Sequence, residues 1–182
     1  MTIALTALFL GERPAAAAAD VGFQTLAVTG VDMPDLSARF AVGGVAHRMW
    51  NPLPPLGLGL RVSLSATTLP YGNNDGEPSV GERSGYNSGY LHESLTVLPS
   101  LALAARWQPG DGGIRAGATA GFTFLVSSEM GGWSLLPMPT FGIELDARIP
   151  RTDGLRARAG VDYIGLPSWG LVLAHLGLIW DL

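Results

Sequence analysis

Between Leu171 and Leu182 every second side chain is apolar: Val172, Ala174, Leu176, Leu178, Trp180 and Leu182. The intervening set, Leu171, Leu173, His175, Gly177, Ile179 and Asp181, is mixed and carries both titratable groups. A strand points successive side chains to opposite faces, so alternation with period two is its signature. A strand of about 9–11 residues with one apolar face crosses a bilayer when tilted. The segment therefore reads as the closing strand of a transmembrane β-barrel, provided the rest of the chain repeats the pattern.

It does. Ile114, Ala116, Ala118, Ala120, Phe122, Phe124 and Val126 are all apolar, against Arg115, Gly117, Thr119, Gly121, Thr123 and Ser127. At 47% hydrophobic composition such a run of seven arises by chance roughly 0.5% of the time. The same alternation marks strands at 36–45, 56–64, 91–107, 140–149 and 155–163, and more weakly at 21–29. Turn-rich stretches separate them: His47 to Pro55 with its prolines, a polar loop at 70–89, short turns at 108–113 and 151–154, and loops at 128–134 and 165–169. The pattern predicts an all-β fold: an eight-stranded antiparallel up-and-down transmembrane β-barrel. Its apolar face carries one charge, Glu93, at the start of a strand. A soluble lipocalin-like barrel would invert the faces and crowd Arg, Asp and Glu into a core. Outer-membrane barrels place apolar side chains outward and polar ones inward, with short periplasmic turns and longer outer loops. The long 70–89 loop then lies outside, the C-terminus is periplasmic, and the location is the outer membrane of a Gram-negative cell.

Composition agrees. Only 14% of the 182 residues are charged, no apolar run reaches the length of a membrane helix, and 25 Gly with 13 Pro suit strands and turns. A net charge of −4 without a basic stripe gives no nucleic-acid surface. The chain has no cysteine, which excludes disulfides, zinc thiolates and thiol nucleophiles. Ile3 to Leu10 with Ala15 to Ala19 resembles a signal segment lacking its basic start. Residues 1–19 are read either as a cleaved signal or as a disordered or helical leader, and 20–182 as one barrel domain. Aromatic residues at both ends (Tyr71, Tyr86, Tyr90, Trp133 and Trp169; Trp50, Trp107 and Trp180) resemble interfacial girdles.

Eight strands enclose an interior just wide enough for side chains or one small ligand. The inward charges Arg106, Arg115, Asp146, Arg148, Arg156, Arg158 and Asp181 fall in the periplasmic half, where opposite signs can pair. The outer half is small or apolar: Thr96, Leu98, Gly121, Thr123, Leu125, Thr140, Gly142, Ile164, Leu171 and Leu173. It either holds a hydrocarbon chain, with Leu98, Gly121, Thr123, Leu125, Gly142, Ile164, Leu171 and Leu173 as the lining, or fills itself and binds nothing. Pro137, Pro139 and Pro167 near the outer rim cannot donate to a ladder. They either open lateral access for a lipid tail or punctuate strand ends.

The run Leu135-Leu136-Pro137-Met138-Pro139, with Val161-Asp162-Tyr163-Ile164-Gly165 before the last strand, resembles the lipid A palmitoyltransferases of the outer membrane. Trp107-Gln108-Pro109, Phe122-Thr123 and Ser37-Ala38-Arg39-Phe40-Ala41 are also similar to segments of that family. The resemblance implies a barrel that moves a palmitoyl chain from a phospholipid to lipid A and measures the chain in its inner cavity. Of the family's catalytic groups, its Asp–Ser pair corresponds to Asn87-Ser88 here, so the Asp is missing. Its first-strand His has no clean counterpart; one alignment places Ser37 there.

From the residues alone, acyl transfer needs a nucleophile or activated hydroxyl, a base and an oxyanion donor. His47 lies in a predicted periplasmic turn beside Arg48 and is expected to be solvated. His175 faces the lumen, with a structural hydrogen bond expected. His92 shares a strand face with Ser88 and Ser94, and Asp75, Glu77 or Glu93 could orient it. Ser88, His92 and Asn87 are therefore the candidate catalytic set. Asp75, Glu77 and Glu82 lack the spacing of a calcium loop, and no metal and no cofactor is expected. The leading expectation is a monomeric acyltransferase whose partners are membrane lipids, phospholipid and lipopolysaccharide, and not nucleic acid. The alternative is a non-catalytic small barrel with a structural, adhesive or hydrophobic-ligand role. A designed barrel without biological role is also open.

Overall fold

A computed structural model describes residues 17–31, 39–53, 55–71, 92–110, 113–129, 132–166 and 169–182. Eight strands run in order: β1 (Ala17–Val31), β2 (Arg39–Leu53), β3 (Leu56–Tyr71), β4 (His92–Trp107), β5 (Ile114–Glu129), β6 (Gly132–Arg148), β7 (Leu155–Leu166) and β8 (Trp169–Asp181). Each pairs antiparallel with its neighbours in sequence, and β8 returns to β1 to close the barrel. Closure leaves no free edge around the wall, which a membrane requires of any sheet.

The two faces follow the sequence alternation. Phe40, Leu103, Ile143 and Leu176 stand outward and exposed, while their strand neighbours Ala41, Ala102, Glu144 and His175 are buried in the lumen. The end built from the 53–56, 107–114 and 148–155 connections is tied by backbone hydrogen bonds. Gln108 N donates to Pro55 O, Arg148 N to Gly113 O, and Leu182 N to Ala19 O across the closing seam. The 72–91 connection belongs to the opposite end. By the rule of short periplasmic turns and long outer loops, that opposite end faces out of the cell.

Several boundaries differ from the sequence reading. β2 does not stop at Val45 but runs to Leu53. Its inward series Ala41, Gly43, Val45, His47 and Met49 keeps phase, whereas the outward Arg48 breaks the apolar alternation and mimics a strand end. Within the expected 128–134 loop the strands continue, with Ser128 paired to Trp133 and Glu129 to Gly132. Pro137 and Pro139 consequently lie inside β6 rather than at its start. β1 begins at Ala17, before the expected leader boundary, and residues 1–16 lie outside the described residues.

The rim is uneven. β6 pairs with β5 along its whole length but with β7 only from Thr140↔Ile164 to Arg148↔Arg156. Above Thr140 the stretch that contains both prolines has no ladder with β7 among the described residues.

Candidate functional site

The interior is layered, and the layers follow from which inward residues the strands bring to one height. At the periplasmic mouth Arg115 of β5 grips Asp181 of β8 in a fork: Nη1 donates to Oδ1 at 2.6 Å and Nη2 to Oδ2 at 3.0 Å. Its Nε donates to Gln108 Oε1 at 2.7 Å. Arg156 stands beside them, 3.7 Å from the Asp181 carboxylate, and donates to the Gly113 carbonyl.

Above the mouth lies a buried charged layer. Asp20 of β1 accepts from Arg106 Nη1 of β4 at 2.6 Å and lies 2.8 Å from His47 Nδ1 of β2. Asp146 of β6 receives Arg158 of β7, Nε at 2.7 Å and Nη2 at 3.0 Å. Glu144 lies 3.3 Å from His47 Nε2 and 3.7 Å from Arg158 Nη1. One step further up, Arg61 of β3 forms a two-pronged pair with Asp162 of β7, both contacts at 2.7 Å. β3 and β7 are diametrically opposite in an eight-strand ring, as are β2 and β6, so Arg61–Asp162 and His47–Glu144 are struts across the lumen.

The charges balance. Four buried arginines, 61, 106, 156 and 158, meet four buried carboxylates, Asp20, Glu144, Asp146 and Asp162. The arginines and carboxylates of this set cancel, and each buried ion has an opposite partner, as burial demands. The hydrogen on His47 is set by its neighbours. The Asp20 carboxylate only accepts, so Nδ1 donates in that contact, while Arg158 Nη1 lies 3.2 Å from Nδ1 and 3.4 Å from Nε2.

A hydroxyl belt follows. Ser100 and Thr123 share a 2.5 Å hydrogen bond, and Thr140 donates to Thr123 at 2.7 Å. Thr119 receives Arg61 Nη1 at 3.4 Å. The outer half is closed by an apolar cluster: Leu26, Val28, Ala41, Leu98, Met138, Ile164, Leu171 and Leu173, with Leu69 and Leu125 against it.

The sequence-predicted residues distribute unevenly over these layers. Leu98, Ile164, Leu171 and Leu173 are at most 3% exposed and pack on one another, with Leu125 beside them. Thr123 belongs to the hydroxyl belt. Gly142 faces Asp162, whose carboxylate occupies the space a Cβ would need, so it sits in the charged layer. Gly121 sits against the β4 backbone at Leu101 and Ala102. Asn87 and Ser88 lie outside the described residues, as does Pro167. His92 opens β4 opposite Tyr71, and its side chain is likewise outside the description. Pro137 and Pro139 pair with Phe124 and Phe122 of β5 and face outward.

Two expectations about histidines change. His47 is not a solvated turn residue; it is 0% exposed at the centre of the charged layer. His175 is buried as expected, but its Nε2 stands 3.8 Å from Asp162, and neither ring nitrogen has a hydrogen-bond partner among the described residues. The inward arginine Arg148 is exposed at the mouth. Sequence reasoning missed Asp20, His47, Arg61, Glu144 and Asp162 as members of the plug. Three of these, Arg61, Glu144 and Asp162, already lay on the inward face of a clean alternation, which was signal enough. Among the described residues, no lumen hydroxyl is hydrogen-bonded to either lumen histidine.

No protein-family profile and no curated protein matches the chain. Solved structures do. Ail, the attachment invasion locus protein of Yersinia pestis, aligns at 13% identity with a TM-score of 0.56, over 91% of this chain and 97% of that one. Neisserial surface protein A aligns at 11% identity and TM-score 0.57, over 91% and 99%. The N-terminal β-barrel domain of Pseudomonas aeruginosa OprF aligns at 17% identity and TM-score 0.52, over 90% and 97%. At such identities they establish the fold, a closed eight-strand outer-membrane barrel. With an apolar outer wall around a charged interior, the chain is an outer-membrane protein.

Proposed function

We propose that this chain is a non-catalytic outer-membrane barrel that anchors its outer-end connections, chiefly the 72–91 segment, at the cell surface. The observation that carries the reading is the filled lumen: an ion-pair plug below and an apolar plug above, whose core side chains are at most a few per cent exposed, with Leu69 and Leu125 partly buried against them. An interior closed in both halves leaves no path for solutes and no ready volume for a hydrocarbon chain. The wall and plug then serve as a rigid support, and recognition falls to the surface end, in a structural or adhesive role.

Acyl transfer is the second reading, and one observation supports it: the β6–β7 ladder stops at Thr140↔Ile164 beside Pro137 and Pro139. A lipid tail entering there would meet Met138, Ile164 and Leu171 and would have to displace them. In that reading Ser88 and His92, with Asn87, would act on phospholipid and lipid A at the outer rim.

The two are separated by incubating the reconstituted barrel with radiolabelled palmitoyl phospholipid and lipid A. No transfer is expected, in the parent or in Ser88→Ala and His92→Asn. Transfer that disappears in either variant overturns the non-catalytic reading.

A further inference from the structure

Two charged residues stand on the outward face of the described strands: Glu93, which lies at the outer start of β4, and Arg48 of β2, towards the opposite end. An arginine facing hydrocarbon is costly unless its head reaches the interface. Arg48 does so: its guanidinium lies over the Trp50 ring, 5.9 Å from the centroid, two residues nearer the periplasmic end. Trp50 is itself an outward, partly exposed side chain of the periplasmic belt.

Directly above Arg48 on the same face come Ala46 and Gly44, the smallest outward pair on this strand. Gly44 is flanked at its own height by Phe23 of β1 and Leu64 of β3, both strongly exposed. Large side chains on either side of a bare glycine make a furrow along β2. Two grooves on the outer wall, about 770 and 390 Å³, meet at Gly44. The glycine is not required by packing, because a Cβ built there would meet nothing nearer than the Gly22 carbonyl oxygen at 3.7 Å. By contrast, the inward Gly22, Gly59 and Gly177 are pressed against neighbouring backbone.

We propose that Arg48 and the Gly44–Ala46 furrow form a binding site for one glycerophospholipid of the periplasmic leaflet. The phosphodiester accepts charge-assisted hydrogen bonds from Arg48, which Trp50 holds at headgroup depth. One acyl chain runs up the furrow between Phe23 and Leu64, over the ~13 Å that four strand residues span. Head and tail are recognised together: a bare anion has no chain for the furrow, and a neutral diacyl lipid has no phosphate for the guanidinium. The site is independent of the lumen and of whether the barrel catalyses anything.

Native mass spectrometry of the full chain, released from detergent micelles and titrated with phosphatidylglycerol, diacylglycerol or inorganic phosphate, tests this. One phosphatidylglycerol should be retained per barrel, with diacylglycerol held roughly tenfold more weakly, the loss of one charge-assisted hydrogen bond. Inorganic phosphate should not compete. Arg48→Gln should weaken phosphatidylglycerol about tenfold. Gly44→Leu should weaken it while leaving Arg48 in place, and Arg151→Gln, a charge removed elsewhere at the same end, should leave it unchanged. Equal retention by parent, Arg48→Gln and Gly44→Leu overturns the site. So does competition by phosphate, which would make it a bare anion site, or equal binding of diacylglycerol, which would make it an unspecific greasy surface. Folding of each variant is read from its heat-modifiable band. Should Arg48→Gln not fold, Gly44→Leu, whose side chain enters open space, decides alone.

Discussion

Removing the Asp162 carboxylate strands the Arg61 guanidinium in the lumen, with Thr119 as its remaining acceptor among the described residues. A buried ion left without its partner costs about 3–5 kcal/mol, whereas replacing both partners by apolar groups is often neutral. Asp162→Ala should therefore lower the unfolding free energy in phospholipid vesicles by about 3–5 kcal/mol. The double variant Arg61→Met with Asp162→Leu should recover most of that loss in the same urea titration. If Asp162→Ala unfolds like the parent, the strut is ornamental. Gly160 makes a related point at the opposite level of detail. A Cβ there would meet the His175 ring at 2.5 Å and the Ile143 carbonyl oxygen at 2.5 Å. The ring can turn but the carbonyl cannot, so Gly160→Ala should cost about 1–3 kcal/mol by overpacking, measured by the same unfolding curves.

Among the elements, the seam between β1 and β8 decides whether the sheet becomes a barrel. Twelve register pairs join these strands, from Asp20↔Asp181 to Val31↔Gly170. Gly22 and Gly177 face inward at this seam, and a side chain on either would run into the partner strand: the Leu178 carbonyl oxygen for Gly22, the Phe23 carbonyl oxygen for Gly177. Gly177→Val should therefore abolish the compact, faster-migrating band on unheated gels, while the outward, open Gly44→Val should keep it. Retention of the band by Gly177→Val would mean that the seam tolerates far looser packing than its backbone contacts imply. β6 tells a second story. Below Thr140 it is paired on both sides, and above it, among the described residues, on one side only. Amide hydrogen exchange should accordingly be faster for Leu136 and Met138 than for Glu144 and Asp146, because local opening breaks one ladder instead of two. Uniform protection along β6 would show that the lateral break closes in the membrane.

For the whole molecule, the filled interior predicts that vesicles containing the barrel do not swell in isotonic sugars; swelling at a rate above protein-free vesicles would contradict a closed lumen. How much of this was readable beforehand divides along a physical line. Alternation in β5, β7 and β8 is local: each strand meets lipid on one face and its own lumen on the other, so sequence alone assigns the strands, their faces, the barrel class and the membrane. That determination weakened where a strand violated its own pattern, as β2 did at Arg48, whose guanidinium lies over the Trp50 ring while the strand runs on. The pairing of Asp20 with Arg106 or of Arg61 with Asp162 joins residues 86 and 101 positions apart. Whether the outer half is open or packed depends on how far Leu26, Leu98, Met138 and Leu173 reach toward one another across the ring. Period two says which way a side chain points but not what stands opposite it. Those facts were decided only by the register and closure of all eight strands, because the lumen exists only once the ring is shut.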